Sequence, residues 1–281
     1  MRVTVRTKGR PMLTRTFAAA AVVSVLATSA CGSGAQTSSS TNALKAIQDR
    51  GTVTIGDCLA EPPWGLINQQ GQPDGFDVDL AKAVAKKLGG KLKTVEVTSA
   101  SRIPSLQSGK VDIVSCSFTV NDVRKKQIDF TDPTIRQGNS LAVPKDSPIK
   151  NLADLTGKTV AVSKGGTSVA VTTAANPKAI QQPYESYSAA FLALQQGQAD
   201  AMIDTSAVLD GSVAKDPNLK IVLDGKVGPT VDFALGVKKG EPELLNWLNQ
   251  FVKQWHASKS GTALYTKWFD RAPTFEFEGL E

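Results

Sequence analysis

Short apolar runs alternate with helical repeats along most of this chain, and this alternation restricts its fold more than any other feature. The runs at residues 53–56 and 158–162 have the length of buried strands. Between them, one helical face is marked by four apolar residues at the spacing i, i+3, i+4 and i+7: Ala81, Val84, Ala85 and Leu88. Asp77 or Asp79 can cap the start of this helix, and Gly89 can end it. Strands that alternate with helices predict an α/β fold.

The alternating pattern occurs twice, which predicts two lobes of similar size. The first lobe would comprise residues 44–143 and the second residues 144–231, while residues 232–281 are too few for a third domain and would pack on the first lobe. The chain would then cross between the lobes twice, near residues 141–144 and 230–234. Two β-strand crossings form a hinge, and the cleft between two lobes is a favoured ligand site.

The first 30 residues have the pattern of an export signal. A basic stretch ends at Arg15, an apolar segment follows at residues 17–27, and small residues precede Cys31. That segment is shorter than the roughly 20 residues that span a bilayer as a helix. The chain has a net charge of +6, but five basic and no acidic residues lie in residues 1–31. The remainder is almost neutral, which argues against a nucleic-acid partner.

Cys31 and its neighbours resemble a bacterial lipoprotein signal. In that class residues 1–30 are removed as a signal peptide and the new N-terminal cysteine is lipidated, which would place the protein outside the cell membrane, held there by acyl chains. Residues 31–43, rich in Gly, Ser and Thr, would form a flexible tether. Thr28 departs from the pattern, which usually has Leu or Val there, so plain secretion stays open as the alternative.

Five segments of the folded part occur in order at the spacing of a known family. They are GFDVDLAKAVAKKLG, RIPSLQSGKVDIV, FTVNDVRKKQIDFTDP, LTGKTVAVSKGGTS and ALYTKWF. Together they resemble the extracytoplasmic solute-binding proteins of polar amino-acid ABC importers, family 3, over residues 44–270. The resemblance implies a two-lobed periplasmic-binding-protein-like fold of type II, which closes on one ligand and then docks to a membrane permease.

Arg124 follows an apolar strand, at the end of the strand where α/β sheets place ligands. A free amino acid is a zwitterion, and arginine holds its carboxylate through two parallel hydrogen bonds. The resemblance implies this role for Arg124, and contacts of Ser117 and Thr119 with the ligand ammonium or carboxylate. The alternative is a surface charge beside Lys125 and Lys126.

The segment SKGGTS joins a predicted strand to a predicted helix in the second lobe. Its glycines allow backbone N–H groups to face an anion, and the resemblance implies that Gly165 and Thr167 hold the ligand carboxylate. Asp204 is the candidate partner of the ammonium, although the family usually has its acid one position later, where this chain has Thr205. A structural acid at a strand end is the alternative.

Two charged residues give conflicting indications of the ligand side chain. Glu61, in the first predicted cleft loop, favours an amide or cationic side chain. Lys164 favours an acidic one. The side-chain specificity therefore stays open at this point.

Two further cysteines end apolar strands, Cys58 the first of them and Cys116 the strand before Arg124. If these strands are neighbours, as the family fold implies, a disulfide would hold the two loops together, and exported proteins permit such bonds. Two buried free thiols are the alternative. A zinc site is not indicated, because no histidine accompanies the two cysteines.

The sequence favours a binding protein over an enzyme. The single histidine, His256, is far along the chain from every predicted cleft loop, so no Ser/His/Asp arrangement forms. We expect a monomer without cofactor that delivers its amino-acid ligand to an ABC permease. Two alternatives remain: a ligand-binding sensor for a receptor, and a dehydratase-like enzyme on the same scaffold with Glu61 or Asp204 as its acid.

Overall fold

The computed structural model describes residues 42–270, which lie within one compact unit, Ser40–Glu281. The predicted signal peptide, the lipidated Cys31 and most of the predicted tether lie outside the described residues. Within this part of the chain, no helix is both long and apolar enough to cross a membrane.

Residues 42–270 form strands and helices in the alternation that the sequence predicts. The strands are β1 (Thr52–Asp57), β2 (Leu66–Ile67), β3 (Pro73–Asp74), β4 (Lys91–Glu96), β5 (Ile113–Val114), β6 (Ile128–Phe130), β7 (Ile135–Gln137), β8 (Asn139–Pro144), β9 (Thr159–Ser163), β10 (Ile180–Tyr184), β11 (Ala201–Thr205), β12 (Leu219–Val222), β13 (Val231–Phe233) and β14 (Gly236–Lys238). The α-helices are α1 (Ala43–Arg50), α2 (Phe76–Leu88), α3 (Arg102–Gln107), α4 (Asp122–Lys125), α5 (Ser168–Ala175), α6 (Tyr187–Gln195), α7 (Ser206–Val213), α8 (Pro242–Ala257) and α9 (Ser260–Phe269). A 3₁₀ helix spans Leu152–Leu155.

The first lobe is built on a five-stranded sheet with the order β4-β1-β5-β14-β6. β1 is parallel to β4 and β5, whereas β14 is antiparallel to β5 and β6. The carboxyl ends of β1, β4 and β5 therefore open onto one edge of the sheet, and the loops that follow them meet there.

The second lobe has a five-stranded sheet of the order β10-β9-β11-β8-β12. β9 is parallel to β10 and β11, and β8 is antiparallel to β11 and β12. The loops after β9 and β11 thus lie at one edge of this sheet, and two sheets of this mixed kind give the two-lobed α/β fold that the resemblance implies.

The chain crosses between the lobes through β7 and β13, which pair as a separate two-stranded antiparallel sheet. Arg136 and Asp232 face each other on this pair, with Nε–Oδ1 and Nη2–Oδ2 distances of 2.6 and 3.1 Å. β13 lies in the predicted second crossing. The predicted first crossing, residues 141–144, belongs instead to the buried strand β8 of the second sheet, and β7 precedes it. We therefore propose that the first lobe ends at β7 and not at residue 143.

Residues 231–238 form two short strands. β13 belongs to the crossing and β14 to the first sheet. Between them, the backbone N–H of Ala234 donates to the carbonyl of Phe118 at 3.1 Å, and that of Leu235 to Thr131 Oγ1 at 3.1 Å. These bonds tie the return segment to the loop that precedes Arg124 and to the residue that follows β6.

Candidate functional site

The polar loops of the two sheets face each other across a cleft. The side chains and backbone that line the cavity between them come from the loops after β1, β4 and β5 of the first lobe and from those at the ends of β9 and β11 of the second. They are Glu61, Ser99, Arg102, Ser117, Thr119, Ser163, Gly166, Thr167, Asp204 and Thr205. This set combines one guanidinium, two carboxyl groups and six hydroxyl groups at one place, which suits a small polar molecule that carries both charges.

The two lobes touch each other at the rim of this cavity. Arg124 of the first lobe donates from Nη2 to the carbonyl of Gly165 of the second at 2.9 Å. Ser188 Oγ donates to the carbonyl of Ala60 at 2.5 Å on another part of the rim. The structure therefore shows the closed arrangement of the lobes.

Arg124 lies at the cleft as the sequence predicts, although its environment is mainly backbone. Asn121 caps α4 and accepts from the Arg124 N–H at 2.9 Å, which fixes the start of the arginine side chain. The side chain is 6% exposed, and Nη1 donates to the Thr119 carbonyl at 2.5 Å. Burial disfavours the charged form of Arg124, and the nearby Arg102 repels a second positive charge. Together they lower the pKa of Arg124 to about 8.

Arg102 is a cavity residue that sequence reasoning missed. It is the first residue of α3 and only 2% exposed, with Nη1 donating to the Cys116 carbonyl at 2.7 Å and the guanidinium 4.1 Å above the Phe118 ring. Its Nε has no hydrogen-bond partner among residues 42–270. Burial lowers the pKa of Arg102 to about 10, although the nearby Glu61, Asp204 and Asp77 raise it. A signal was available, since the run TVEV at residues 94–97, shortly before Arg102, has the pattern of a strand, as does the run before Arg124.

Glu61 and Asp204 bring acidic groups to the same cavity from opposite lobes. Glu61 is buried and accepts from Ser117 Oγ at 2.9 Å through Oε2. Burial raises its pKa, while Arg102 and hydrogen bonds from Ser117 and Ser99 lower it. Asp204, one residue before the position usual in the family, faces the cavity, and burial raises its pKa to about 7.

The raised pKa of Asp204 predicts a pH-dependent stability of the unliganded protein. The folded state holds the Asp204 proton more tightly than the unfolded state, whose pKa is near 3.8. The free energy of unfolding therefore falls as the pH rises from about 4 to about 7 and levels off above. Between pH 5 and 8 we expect the wild type to lose on the order of 2 kcal/mol relative to Asp204→Asn, as measured by urea unfolding. A difference between the two proteins that stays constant with pH would contradict this.

The loop after β9 places some predicted residues at the site and excludes another. Gly166 and Thr167 line the cavity, and the Gly165 carbonyl accepts from Arg124. Lys164 instead pairs with Glu185 at the surface, and its side chain is 47% exposed. The ligand-contacting role predicted for Lys164 thus has no support in the geometry, because its ammonium is engaged by Glu185 and Lys164 is not among the residues that line the cavity.

The predicted disulfide between Cys58 and Cys116 is present in the structure, with the Cα atoms 4.9 Å apart. The two cysteines follow β1 and β5, which pair in parallel. Glu61 lies beside the two sulfur atoms, but cysteines bonded to each other offer no thiolate to a metal ion. The bond joins the loop that holds Glu61 to the loop that holds Ser117.

We expect the disulfide to protect the folded protein from unfolding. In a Cys31→Ser variant of the full chain, Cys58 and Cys116 are the remaining cysteines, and thiol titration in denaturant without reductant should find no reactive thiol. Reduction should lower the free energy of unfolding by about 4 kcal/mol, since the bond closes a loop with a sequence separation of 58. Two reactive thiols per chain would contradict the bond.

His256 lies on α8, with Nε2 3.3 Å from the Thr134 carbonyl, and it is not among the residues that line the cavity. The acidic groups of the cavity therefore have no imidazole partner within the described part of the chain. This arrangement suits ligand binding by fixed charges and hydroxyl groups.

Known proteins share this sequence and fold. The family model of bacterial extracellular solute-binding proteins, family 3, matches residues 53–271. The ABC transporter glutamine-binding protein of Bacillus subtilis is 35% identical over 89% of this chain and 94% of its own length. The L-glutamate/L-aspartate-binding protein of Pseudomonas aeruginosa is 31% identical over 82% of this chain and 80% of its own length.

A solved structure also resembles this chain along most of its length. It is that of an ancestral amino acid-binding protein described as a precursor of cyclohexadienyl dehydratase. It has a TM-score of 0.75 and 37% identity, covering 80% of this chain and 99% of its own. The family match spans both sheets and every loop of the cleft, and the chain therefore belongs to the bacterial extracellular solute-binding proteins, family 3.

Proposed function

We propose that this protein binds a free L-amino acid in the cleft and delivers it to the permease of an ABC transporter. The observation that carries the proposal is the meeting of Arg124 and Arg102 with Glu61 and Asp204 at one closed cleft. A zwitterion presents one charge of each sign and is complementary to this arrangement. Two relatives are named as a glutamine-binding protein and an L-glutamate/L-aspartate-binding protein, and these names agree with the proposal.

The ligand main chain would bridge the two lobes. Its carboxylate would accept from Arg124, replacing the backbone carbonyls that the guanidinium contacts in this structure, with Thr119 and Thr167 beside it. Its ammonium would donate to Asp204 and so bring the second lobe onto the first. Closure is then favoured by contacts that exist only when both lobes hold the ligand.

Arg102 and Glu61 supply the contacts proposed for the ligand side chain. A terminal amide offers an oxygen that can accept from Arg102 and an N–H that can donate to Glu61, whereas a terminal carboxylate satisfies Arg102 alone. We therefore propose L-glutamine as the preferred ligand and L-glutamate as the second. In the sequence, Glu61 and Lys164 give conflicting indications of the ligand side chain. Because Lys164 lies outside the cavity, the proposed specificity rests on Glu61 and Arg102.

Amino-acid binding is tested by a thermal-shift screen of the twenty amino acids, followed by calorimetry on those that raise the melting temperature. We expect L-glutamine and L-glutamate to give the largest shifts. An absence of both thermal shift and binding heat for all twenty would refute the proposal. Uptake of the ligand by cells should fall when the chain is deleted, and this separates delivery from a role as a sensor.

An enzymatic function is the second candidate, since one similar structure is named as a precursor of a dehydratase. Glu61 would be the acid, because burial raises its pKa and keeps it protonated more readily. We propose that the protein is not an enzyme, because Glu61 and Asp204 lie near the Arg102 guanidinium, an arrangement that suits a bound zwitterion. Recovery of each ligand unchanged after incubation supports binding alone, and appearance of a dehydrated product would support the enzyme.

We further propose that the protein acts as a monomer outside the cell, attached to the membrane by lipidated Cys31. The support is the sequence pattern at residues 1–31 and the extracellular nature of the family. Replacement of Cys31 by Ser should move the protein from the membrane fraction to the medium. Retention of the variant in the membrane fraction would contradict acylation at this cysteine.

A further inference from the structure

Asp77 lies in the first turn of α2 but is bonded to a different segment of the chain. The helix begins after Gly75, and neither Asp77 nor Asp79 provides the predicted cap. Asp77 Oδ1 accepts from Ser115 Oγ at 2.9 Å and Oδ2 accepts from the Ser117 N–H at 2.7 Å. The side chain is buried and lies outside the set that lines the cavity.

The segment that Asp77 holds, residues 115–119, carries the contacts that organise the site. The Cys116 carbonyl accepts from Arg102 at 2.7 Å, and the Thr119 carbonyl accepts from Arg124 at 2.5 Å. The Phe118 ring lies 4.1 Å from one of these guanidinium groups and 5.2 Å from the other. A shift of this segment would therefore displace both cations together.

Ser117 has a backbone conformation that needs external support. Its φ is +41°, a left-handed value that residues other than glycine seldom adopt. Such residues persist when neighbouring contacts hold them in place. The Asp77 carboxylate accepts from the N–H of this same residue, and the Ser117 hydroxyl then reaches Glu61 Oε2 at 2.9 Å.

The charged groups around Asp77 do little to stabilise its buried carboxylate, because they act in opposite directions. The cation that acts on it is Arg102, while Glu61 opposes its ionised form. Burial raises the pKa of Asp77 to about 7, and the hydrogen bonds from Ser117 and Ser115 lower it. A buried carboxylate is stabilised by the bonds it accepts, and here both come from residues 115–119.

We propose that Asp77 is a positioning residue for ligand binding, which fixes residues 115–119 so that Ser117, Arg102 and Arg124 meet the ligand in a preset geometry. This inference rests on the proposed function, since it concerns the same site. Without Asp77 the segment would be free to leave its left-handed conformation in the open protein. Ligand binding would then have to order it, and the cost would appear in the Kd.

The test compares Asp77→Ala and Asp77→Asn with a matched change on the same helix. Asp79 accepts from Lys82, Lys267 and Trp268 Nε1 and makes no contact with residues 115–119 among the bonds described, so Asp79→Asn loses hydrogen bonds away from the site. The full chain is titrated by calorimetry with L-glutamine and L-glutamate, well below the melting temperature of each variant. A role in stability alone lowers the melting temperature without changing the Kd of the folded protein.

We expect Asp77→Ala to weaken binding roughly 10- to 100-fold, the effect of losing hydrogen bonds to a charged group. Asp77→Asn should recover part of this loss, because its amide can accept from Ser117 and donate to Ser115. Asp79→Asn should bind within twofold of the wild type. A Kd for Asp77→Ala within twofold of that for Asp79→Asn would overturn the inference.

If Asp77→Ala does not fold, Ser115→Ala decides, because it removes one of the two bonds and leaves every cavity residue in place. At least threefold weaker binding by Ser115→Ala supports the inference, and a smaller change overturns it. Wild-type protein that binds none of the twenty amino acids would refute the proposed function, and this inference with it. Wild-type binding with unchanged variants would refute the inference alone.

Discussion

Arg124→Ala is expected to abolish measurable binding of every amino-acid ligand while the protein remains folded. Removal of one partner from a buried charged pair costs about 2–5 kcal/mol or more, which raises the Kd by about 30-fold to about 5,000-fold or more. The fold should tolerate the change. Burial lowers the pKa of Arg124 to about 8, which means that the unliganded protein disfavours this cation. Calorimetry measures the binding, and thermal unfolding shows whether the variant has folded.

Two variants separate the shape of the guanidinium from its charge. Arg124→Lys retains a cation but not the planar fork, and we expect it to bind at least tenfold more weakly than the wild type. Lys125→Ala removes an exposed cation from the same short helix and should leave the Kd within twofold. Near wild-type binding by Arg124→Ala would show that the ligand carboxylate is held elsewhere.

The helices were more predictable from sequence than the pairing of strands. In α2 the predicted apolar face is buried at Ala81, Val84 and Ala85. Helical spacing is a local property that a single segment displays in full. Strand pairing depends on distant residues, and nothing in residues 139–144 indicates that β8 pairs with β11 rather than with strands before it. The boundary that we propose at β7 therefore lies several residues before the one predicted from the sequence.

The loops of the cleft could be predicted better than the directions of their side chains. Glu61, Ser117 and Asp204 all follow or end strands, and the structure brings them to one cavity. Lys164 also follows a strand, yet its ammonium pairs with Glu185 outside. Arg102 was overlooked although it follows β4, as the other cleft residues of the first lobe follow their strands. A strand end locates a residue at the cleft, but the loop conformation decides which way its side chain points.

Gly165→Ala is expected to prevent closure of the lobes and thereby weaken ligand binding at least about 100-fold. A Cβ at Gly165 would lie 2.5 Å from the Ser99 carbonyl oxygen and 2.7 Å from the Ala100 Cα. Both are backbone atoms of the opposite lobe, so no side-chain rotation relieves the clash. The lobes would have to stay apart, and the ligand would keep its contacts with the first lobe but lose Asp204. Calorimetry gives the Kd, and small-angle X-ray scattering gives the radius of gyration with and without ligand.

Gly157→Ala provides the matched control for this closure, because it shares the backbone conformation and the lobe but not the contact. Gly157 has a φ of +71° and Gly165 a φ of +73°, so each change to Ala should cost about 1 kcal/mol of stability. A Cβ at Gly157 would meet no atom within 4 Å in the part of the chain that the structure describes. Gly157→Ala should therefore bind ligand and contract on binding, as the wild type does. If Gly165→Ala contracts equally and binds as well as Gly157→Ala, the close approach of Gly165 to Ser99 is not required in the bound state.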